Sequence, residues 1–217
     1  MPNNIASYIE QTILRPDTTS GQIVELCNEA LLYEFFGVCV PPIYVKDCYN
    51  KLSKSSVKII TVVGFPFGYN QTPTKVEEAR KAIEDGANEL DMVMNIAAFK
   101  DKNYKIVLSD IQSLVDYSHM HDKILKVIIE TSFLTEEEIK KACSIATKAG
   151  ADFVKTSTGF SSGGATVEAI KIMRASLPKK IKIKASGGIK EQSFALQLIN
   201  AGADRIGTSA GIKLVTS

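Results

Sequence analysis

Two lysines stand where an amine could do covalent chemistry. Lys155 closes the apolar pair Phe153-Val154 and precedes Thr156-Ser157-Thr158-Gly159. Lys184 closes Ile181-Lys182-Ile183 and precedes Ala185-Ser186-Gly187-Gly188. A lysine entering from an apolar strand is partly desolvated, which disfavours its charged form and lowers its pKa. Such an amine can attack a carbonyl and form a Schiff base. Two neighbouring ammonium groups depress the pKa of at least one of them, a second route to the same activation. The plainer alternative for Lys155 is a stem that snorkels out of an apolar wall, or a point charge for an anion. Asp91, between Leu90 and Met92, is a lone carboxylate in an apolar run and needs a partner. That partner is either a lysine of the same site or, in a purely structural pair, Lys126. Strict alternation puts Lys182 on the same face as Lys184. Lys182 then lies a layer deeper, reaches the opposite mouth, or is displaced by a strand irregularity.

Other chemistry has little to work with. The only histidines, His119 and His121, sit together and read as a polar helix end rather than as metal ligands. A histidine triad and a three-histidine zinc site lack their residues, so acid/base work falls to Lys, Asp, Glu or Tyr. Cys27, Cys39, Cys48 and Cys143 form no Cys-x-x-Cys pair, and reduced, mostly buried thiols of a cytoplasmic protein are the economical reading. Gly187-Gly188 and Gly207-Thr208-Ser209 follow two β-like runs. Glycines there let backbone N–H groups approach a ligand, and the hydroxyls add donors.

The elements that must position these residues alternate from end to end. β-like runs fall at 37–40, 58–63, 89–94, 125–130, 152–155, 181–184 and 204–207, with a weak eighth at 12–14. Between them lie amphipathic helices. Thr135 with Glu138 forms a capping box, and Gly150 ends that helix. Thr74 precedes Val76, Ala79 and Ile83, with Gly86 as the stop. Residues 104–120 place Val107, Leu108, Ile111, Leu114 and Val115 on one face. A near-repeat recurs at Gly86-Ala87-Asn88-Glu89-Leu90-Asp91, Gly150-Ala151-Asp152-Phe153-Val154-Lys155 and Gly202-Ala203-Asp204-Arg205-Ile206-Gly207. It predicts equivalent strand positions for Asp91, Lys155 and Gly207. Eight β-then-α units without a long linker predict a (β/α)8 TIM barrel in one domain, residues 1–217. An open doubly wound sheet is the runner-up, although no Gly-x-Gly-x-x-Gly follows the first strand. In a barrel, functional residues gather at the C-terminal ends of the strands.

Composition narrows the classes. With 217 residues, 45% apolar and 23% charged, the chain can build a substantial core. A net charge of +2 argues against a nucleic-acid partner, and Lys179-Lys180 reads as solvated surface. No apolar stretch approaches the roughly 20 residues of a membrane span. Met1-Pro2-Asn3-Asn4 lacks the basic and apolar regions of a signal peptide.

Val154-Lys155-Thr156-Ser157-Thr158-Gly159-Phe160, Lys126-Val127-Ile128-Ile129-Glu130-Thr131, Glu89-Leu90-Asp91-Met92-Val93 and Lys184-Ala185-Ser186-Gly187-Gly188 together resemble the deoxyribose-phosphate aldolase family, in the same order and over nearly the whole chain. The resemblance implies a class I aldolase without metal or other cofactor. It would cleave 2-deoxy-D-ribose 5-phosphate reversibly to acetaldehyde and D-glyceraldehyde 3-phosphate in deoxyribonucleotide catabolism. It makes Lys155 the Schiff-base lysine and Lys184 and Asp91 its proton-transfer partners. Thr158, Gly159, Gly187, Gly188, Gly207 and Ser209 become the substrate and phosphate contacts. A homo-oligomer, dimer or tetramer, is implied as well. Rival readings are another Schiff-base aldolase with a different donor, or a barrel that binds a phosphorylated ligand without turning it over. Three departures stand out. Glu10-Gln11-Thr12-Ile13-Leu14 replaces a common Asp-His-Thr-Leu-Leu. Phe160 stands where some members carry a phosphate-binding lysine, which predicts that the phosphate depends more on uncharged donors here. The sequence ends Val215-Thr216-Ser217, where some members have a terminal tyrosine.

Overall fold

The computed structural model describes residues 5–217. The stretch Met1-Pro2-Asn3-Asn4, read above as lacking the regions of a signal peptide, lies outside them. The strands are β1 (Ile9–Thr12), β2 (Gly37–Val40), β3 (Lys58–Val63), β4 (Glu89–Val93), β5 (Ile124–Ile128), β6 (Phe153–Lys155), β7 (Lys182–Ser186) and β8 (Arg205–Thr208). All pair in parallel and in chain order, and β8 closes on β1 through Glu10–Gly207. That closure makes the fold a (β/α)8 barrel and removes the doubly wound alternative. The helices are α1 (Ser20–Leu32), α2 (Val45–Leu52), α3 (Thr72–Glu84), α4 (Ile96–Lys100), α5 (Tyr104–Met120), α6 (Glu136–Ala149), α7 (Val167–Ser176), α8 (Gln192–Asn200) and α9 (Gly211–Thr216). Among the described residues no helix is long and apolar enough to cross a membrane.

Each strand is buried on both faces. Val38, Val40, Leu90, Met92, Val127, Val154, Ile183 and Ala185 point outward into the layer shared with the helices. Fully covered parallel strands read as near-continuous apolar runs, which is why seven of them are visible in the sequence. The eighth, β1, runs from Ile9 to Thr12 rather than over 12–14. Its centre is Glu10-Gln11, polar residues buried because each finds partners. Gln11 donates from Nε2 to Glu29 (2.8 Å) and accepts from the Gly211 N–H (3.0 Å), tying β1 to α1 and α9.

The helix α6 forms as its capping box predicts. The Glu138 N–H donates to Thr135 Oγ1 (3.3 Å), and the Thr135 N–H donates to Glu138 Oε2 (2.8 Å). Gly150 ends it at φ 86°. The helix α3 begins at Thr72, two residues before the expected Thr74. Pro73 fits its first turn because the missing N–H has no intrahelical partner there anyway.

The ladder register stacks the barrel interior in rings. Asp91 pairs through Lys126 to Phe153, two residues before Lys155; Lys155 pairs through Lys184 to Arg205, two residues before Gly207. Gly207 pairs through Glu10 to Gly37, two before Cys39, and Cys39 through Ile60 to Glu89, two before Asp91. Cys39, Asp91, Lys155 and Gly207 therefore form one ring contributed by alternate strands. The near-repeat had placed three of these four at one level. By the same pairing, Glu10, Ile60, Lys126 and Lys184 form the ring one step closer to the N-terminal mouth. Barrel rings are usually bulky aliphatics; here two successive rings hold five charged side chains.

Candidate active site

Asp91 is the node where the interior charges meet. Its Oδ2 accepts from Lys155 Nζ (2.8 Å) and from Lys184 Nζ (2.7 Å), and its Oδ1 accepts from Lys126 Nζ (2.9 Å). The two expected partners of Asp91 are thus both real: one oxygen serves the lysine pair, the other Lys126. Lys184 also donates to Glu10, and Lys126 lies 2.6 Å from Glu89 Oε2 and 3.7 Å from Glu10 Oε1. All six of these side chains are essentially buried. Three ammonium groups face three carboxylates, which is what lets so much charge leave water. Lys182 resolves differently from Lys184. It begins β7 at the N-terminal mouth, exposed, with Nζ 5.7 Å from the Phe153 ring centroid.

Burial alone would raise the Asp91 pKa. The charges of Lys126, Lys155 and Lys184 outweigh it and hold the carboxyl well below its ordinary value. Burial alone would lower the Lys184 pKa. The carboxylates of Asp91 and Glu10 outweigh it and push Lys184 well above its ordinary value. If the lysine pair has a depressed member, it is therefore not Lys184, which bonds both Asp91 and Glu10. Glu10 and Lys126 are functional candidates that the motif reading passed over as a departure and as a possible structural partner. Lys126 gave a weak signal as the one charged residue inside an apolar strand, whereas Glu10, beside Gln11 in a polar run, gave none.

A cavity of about 350 Å³ opens above Lys155 at the C-terminal mouth, a size suited to a small ligand. It is lined by Lys155, Thr158, Gly159, Gly187, Gly188, Gly207 and Ser209, seven of the nine residues singled out from the sequence. The other two, Asp91 and Lys184, lie beneath it and reach it through Lys155. Gly207 also has a reason beyond ligand approach. A Cβ there would stand 2.9 Å from Lys184 Cε, so the missing side chain makes room for the lysine. Phe160 lines the cavity and packs edge-on against Phe65, with ring centroids 5.3 Å apart. Beside these uncharged donors, two cationic residues line the same cavity: Lys190, after β7, and Arg15, after β1. Arg15 already donates to Asp17 through both Nε (2.9 Å) and Nη2 (2.5 Å), whereas Lys190 is exposed.

The fold and site define a barrel enzyme with a lysine amine at the floor of a ligand-sized cavity. The sequence pattern described as DeoC/LacD family aldolase matches residues 5–214, and the chain belongs to that family, one of lyases. It is 52% identical over 213 residues to a deoxyribose-phosphate aldolase of Thermococcus kodakarensis, covering 97% of this chain and 95% of that one. Among solved structures it resembles an aldolase named QR15, at 42% identity and a TM-score of 0.94, over 99% of this chain and 95% of that one. It also resembles the tetrameric deoxyribose phosphate aldolase of Aeropyrum pernix, at 31% identity and a TM-score of 0.91, over 97% and 89%.

Proposed function

We propose that this protein cleaves 2-deoxy-D-ribose 5-phosphate reversibly to acetaldehyde and D-glyceraldehyde 3-phosphate through a Schiff base on Lys155. The observation that carries the reading is the position of Lys155: of the three lysines that meet Asp91, it is the one that also lines the cavity. Its Nζ donates to Asp91 (2.8 Å), which puts a carboxylate within reach to relay protons as the amine adds to a carbonyl. Lys155 adds to the C1 aldehyde of the open-chain sugar. Loss of water from the carbinolamine gives the imine, with Lys184, bonded to the same Asp91 oxygen as Lys155, placed to pass a proton toward the departing hydroxyl. The protonated imine draws in the electron pair of the C2–C3 bond while the C3 hydroxyl gives up its proton and becomes the new aldehyde, and glyceraldehyde 3-phosphate leaves. The remaining enamine is protonated at carbon and hydrolysed to acetaldehyde, freeing Lys155.

Phosphate sites in barrels often follow strands seven and eight. Gly187, Gly188, Gly207 and Ser209 stand there, Thr158 and Gly159 flank them, and Lys190 supplies a positive charge that Phe160 lacks. We further propose a homo-oligomer, in keeping with the tetrameric relative, and a cytoplasmic location, in keeping with four buried free thiols. Borohydride reduction in the presence of acetaldehyde tests the chemistry. It should leave a two-carbon ethyl group on the peptide containing Lys155. A label found only on Lys184 would reverse the two roles, and no label on any lysine would remove the Schiff-base reading.

A further inference from the structure

Glu130 follows β5 with its backbone in the left-handed region, φ 53°, a conformation that ordinary side chains avoid. Its side chain is 1% exposed. A carboxylate so buried normally has a cation beside it. Glu130 has instead a set of neutral donors drawn from two loops. Oε2 accepts from the Thr158 N–H (3.0 Å) and from Thr158 Oγ1 (2.5 Å). Oε1 lies within reach of Ser161 Oγ (3.0 Å) and Ser132 Oγ (3.3 Å). Thr158 Oγ1 in turn accepts from the Phe160 N–H (3.1 Å), closing the turn that carries Gly159 and Phe160 along the cavity.

The contacts continue toward the glycine turn after β7. The Ala165 N–H donates to the Gly187 carbonyl (3.0 Å). Gly164 sits so close to that carbonyl that a Cβ on it would stand 2.3 Å from the oxygen. One carboxylate therefore fastens residues 158–161, and the same loop rests on Gly187 a few residues later. Backbone strain combined with a buried carboxyl group at a strand's C-terminal end is tolerated where position matters more than stability.

We propose that Glu130 is a positioning residue that holds the cavity wall 158–161, and through it the Gly187 turn, in the shape that receives the phosphate end of the substrate. The proposal rests on the aldolase reading above. It acts on binding of the phosphorylated sugar and leaves imine formation at Lys155 to Asp91 and Lys184.

The test compares wild type, Glu130→Ala and Glu130→Gln in cleavage of deoxyribose 5-phosphate, in borohydride trapping with saturating acetaldehyde, and in thermal melting. Glu130→Ala should raise KM at least about tenfold, the loss expected for one charge-assisted hydrogen bond. Its kcat and acetaldehyde trapping should fall much less, because acetaldehyde carries no phosphate. Glu130→Gln should recover most of the KM, since its oxygen can still accept from Thr158 while its amide donates to the serine hydroxyls. A folded Glu130→Ala with wild-type KM overturns the proposal, as does loss of trapping and kcat at unchanged KM. A Gln variant as impaired as the Ala variant assigns the effect to charge and overturns the positioning role. Should Glu130→Ala not fold, Ser161→Ala decides: a smaller KM rise supports the proposal and an unchanged KM rejects it. Failure of the wild type to trap acetaldehyde would instead be a failure of the Schiff-base reading, a separate outcome.

Discussion

The barrel contains two buried lysine–aspartate systems that look alike in a list of contacts and differ in what they can do. Outside the strands, Lys75 of α3 donates to Asp110 of α5 (2.6 Å) and to the Val93 carbonyl (3.0 Å), while Thr72 donates to the other Asp110 oxygen (2.8 Å). Lys75 and Asp110 meet there as buried side chains, and none of the three lines the cavity above Lys155. On the axis, Asp91 is shared by three lysines, and one of them, Lys155, forms part of a cavity wall. A closed pair fixes geometry. A shared carboxylate beneath an accessible amine can exchange proton partners when a substrate arrives. Burial and pairing alone therefore do not separate the two systems; contact with the cavity and an excess of partners do.

The comparison is broken most sharply by Lys155→Arg. Arginine keeps the charge near Asp91 but stays protonated and is a poor amine nucleophile. Turnover should drop to background with little change in melting temperature, and measurable turnover would remove Lys155 from the covalent role. Asp91→Asn, nearly isosteric, should lower kcat by at least about 100-fold, the usual scale for losing an acid/base group; near-normal kcat would reduce Asp91 to a structural pair. Lys75→Met should show the opposite profile. Removing one partner of a closed buried pair costs about 3–5 kcal/mol, so the melting temperature should fall clearly while kcat per folded molecule changes little.

Acid unfolding sharpens the same contrast. The folded pKa of Asp91 is depressed below 3.8, so its stabilising contribution is complete above that pH and is lost as pH falls through the folded value. Lys184 is raised above 10.5, so its contribution is complete below that pH and is lost at higher pH. Asp91 and Lys184 should therefore leave the melting temperature flat across neutral pH, with a fall in acid that Asp91→Asn makes shallower. An equally steep acid limb in that variant would place the titrating group elsewhere. The smallest effect belongs to a residue in neither system: Thr135→Ala should cost about 1 kcal/mol through loss of the α6 cap, measured by chemical denaturation, with kcat unaffected.

Local rules carried much of this molecule. The capping box at Thr135 and Glu138, the glycine stop at Gly150 and the apolar runs at 37–40 and 58–63 are set by neighbours a few residues away, and they appear in the structure at those positions. The near-repeat went further and put Asp91, Lys155 and Gly207 at one level, because identical helix-to-strand turns deliver strands in identical phase. Tertiary structure decided what depends on residues far apart in the chain. Glu10 reads as a polar interruption that hides β1; it is buried because Lys184, 174 residues later, meets it across the closed barrel. Lys126 reads as one more strand lysine, and only the register brings it to the far oxygen of Asp91. Lys190 and Arg15 share a cavity wall because β1 lies beside β8 and close to β7, an adjacency that exists only once the barrel closes. Sequence periodicity determines which face a side chain takes, while the partner that makes its charge tolerable is chosen by closure of the sheet.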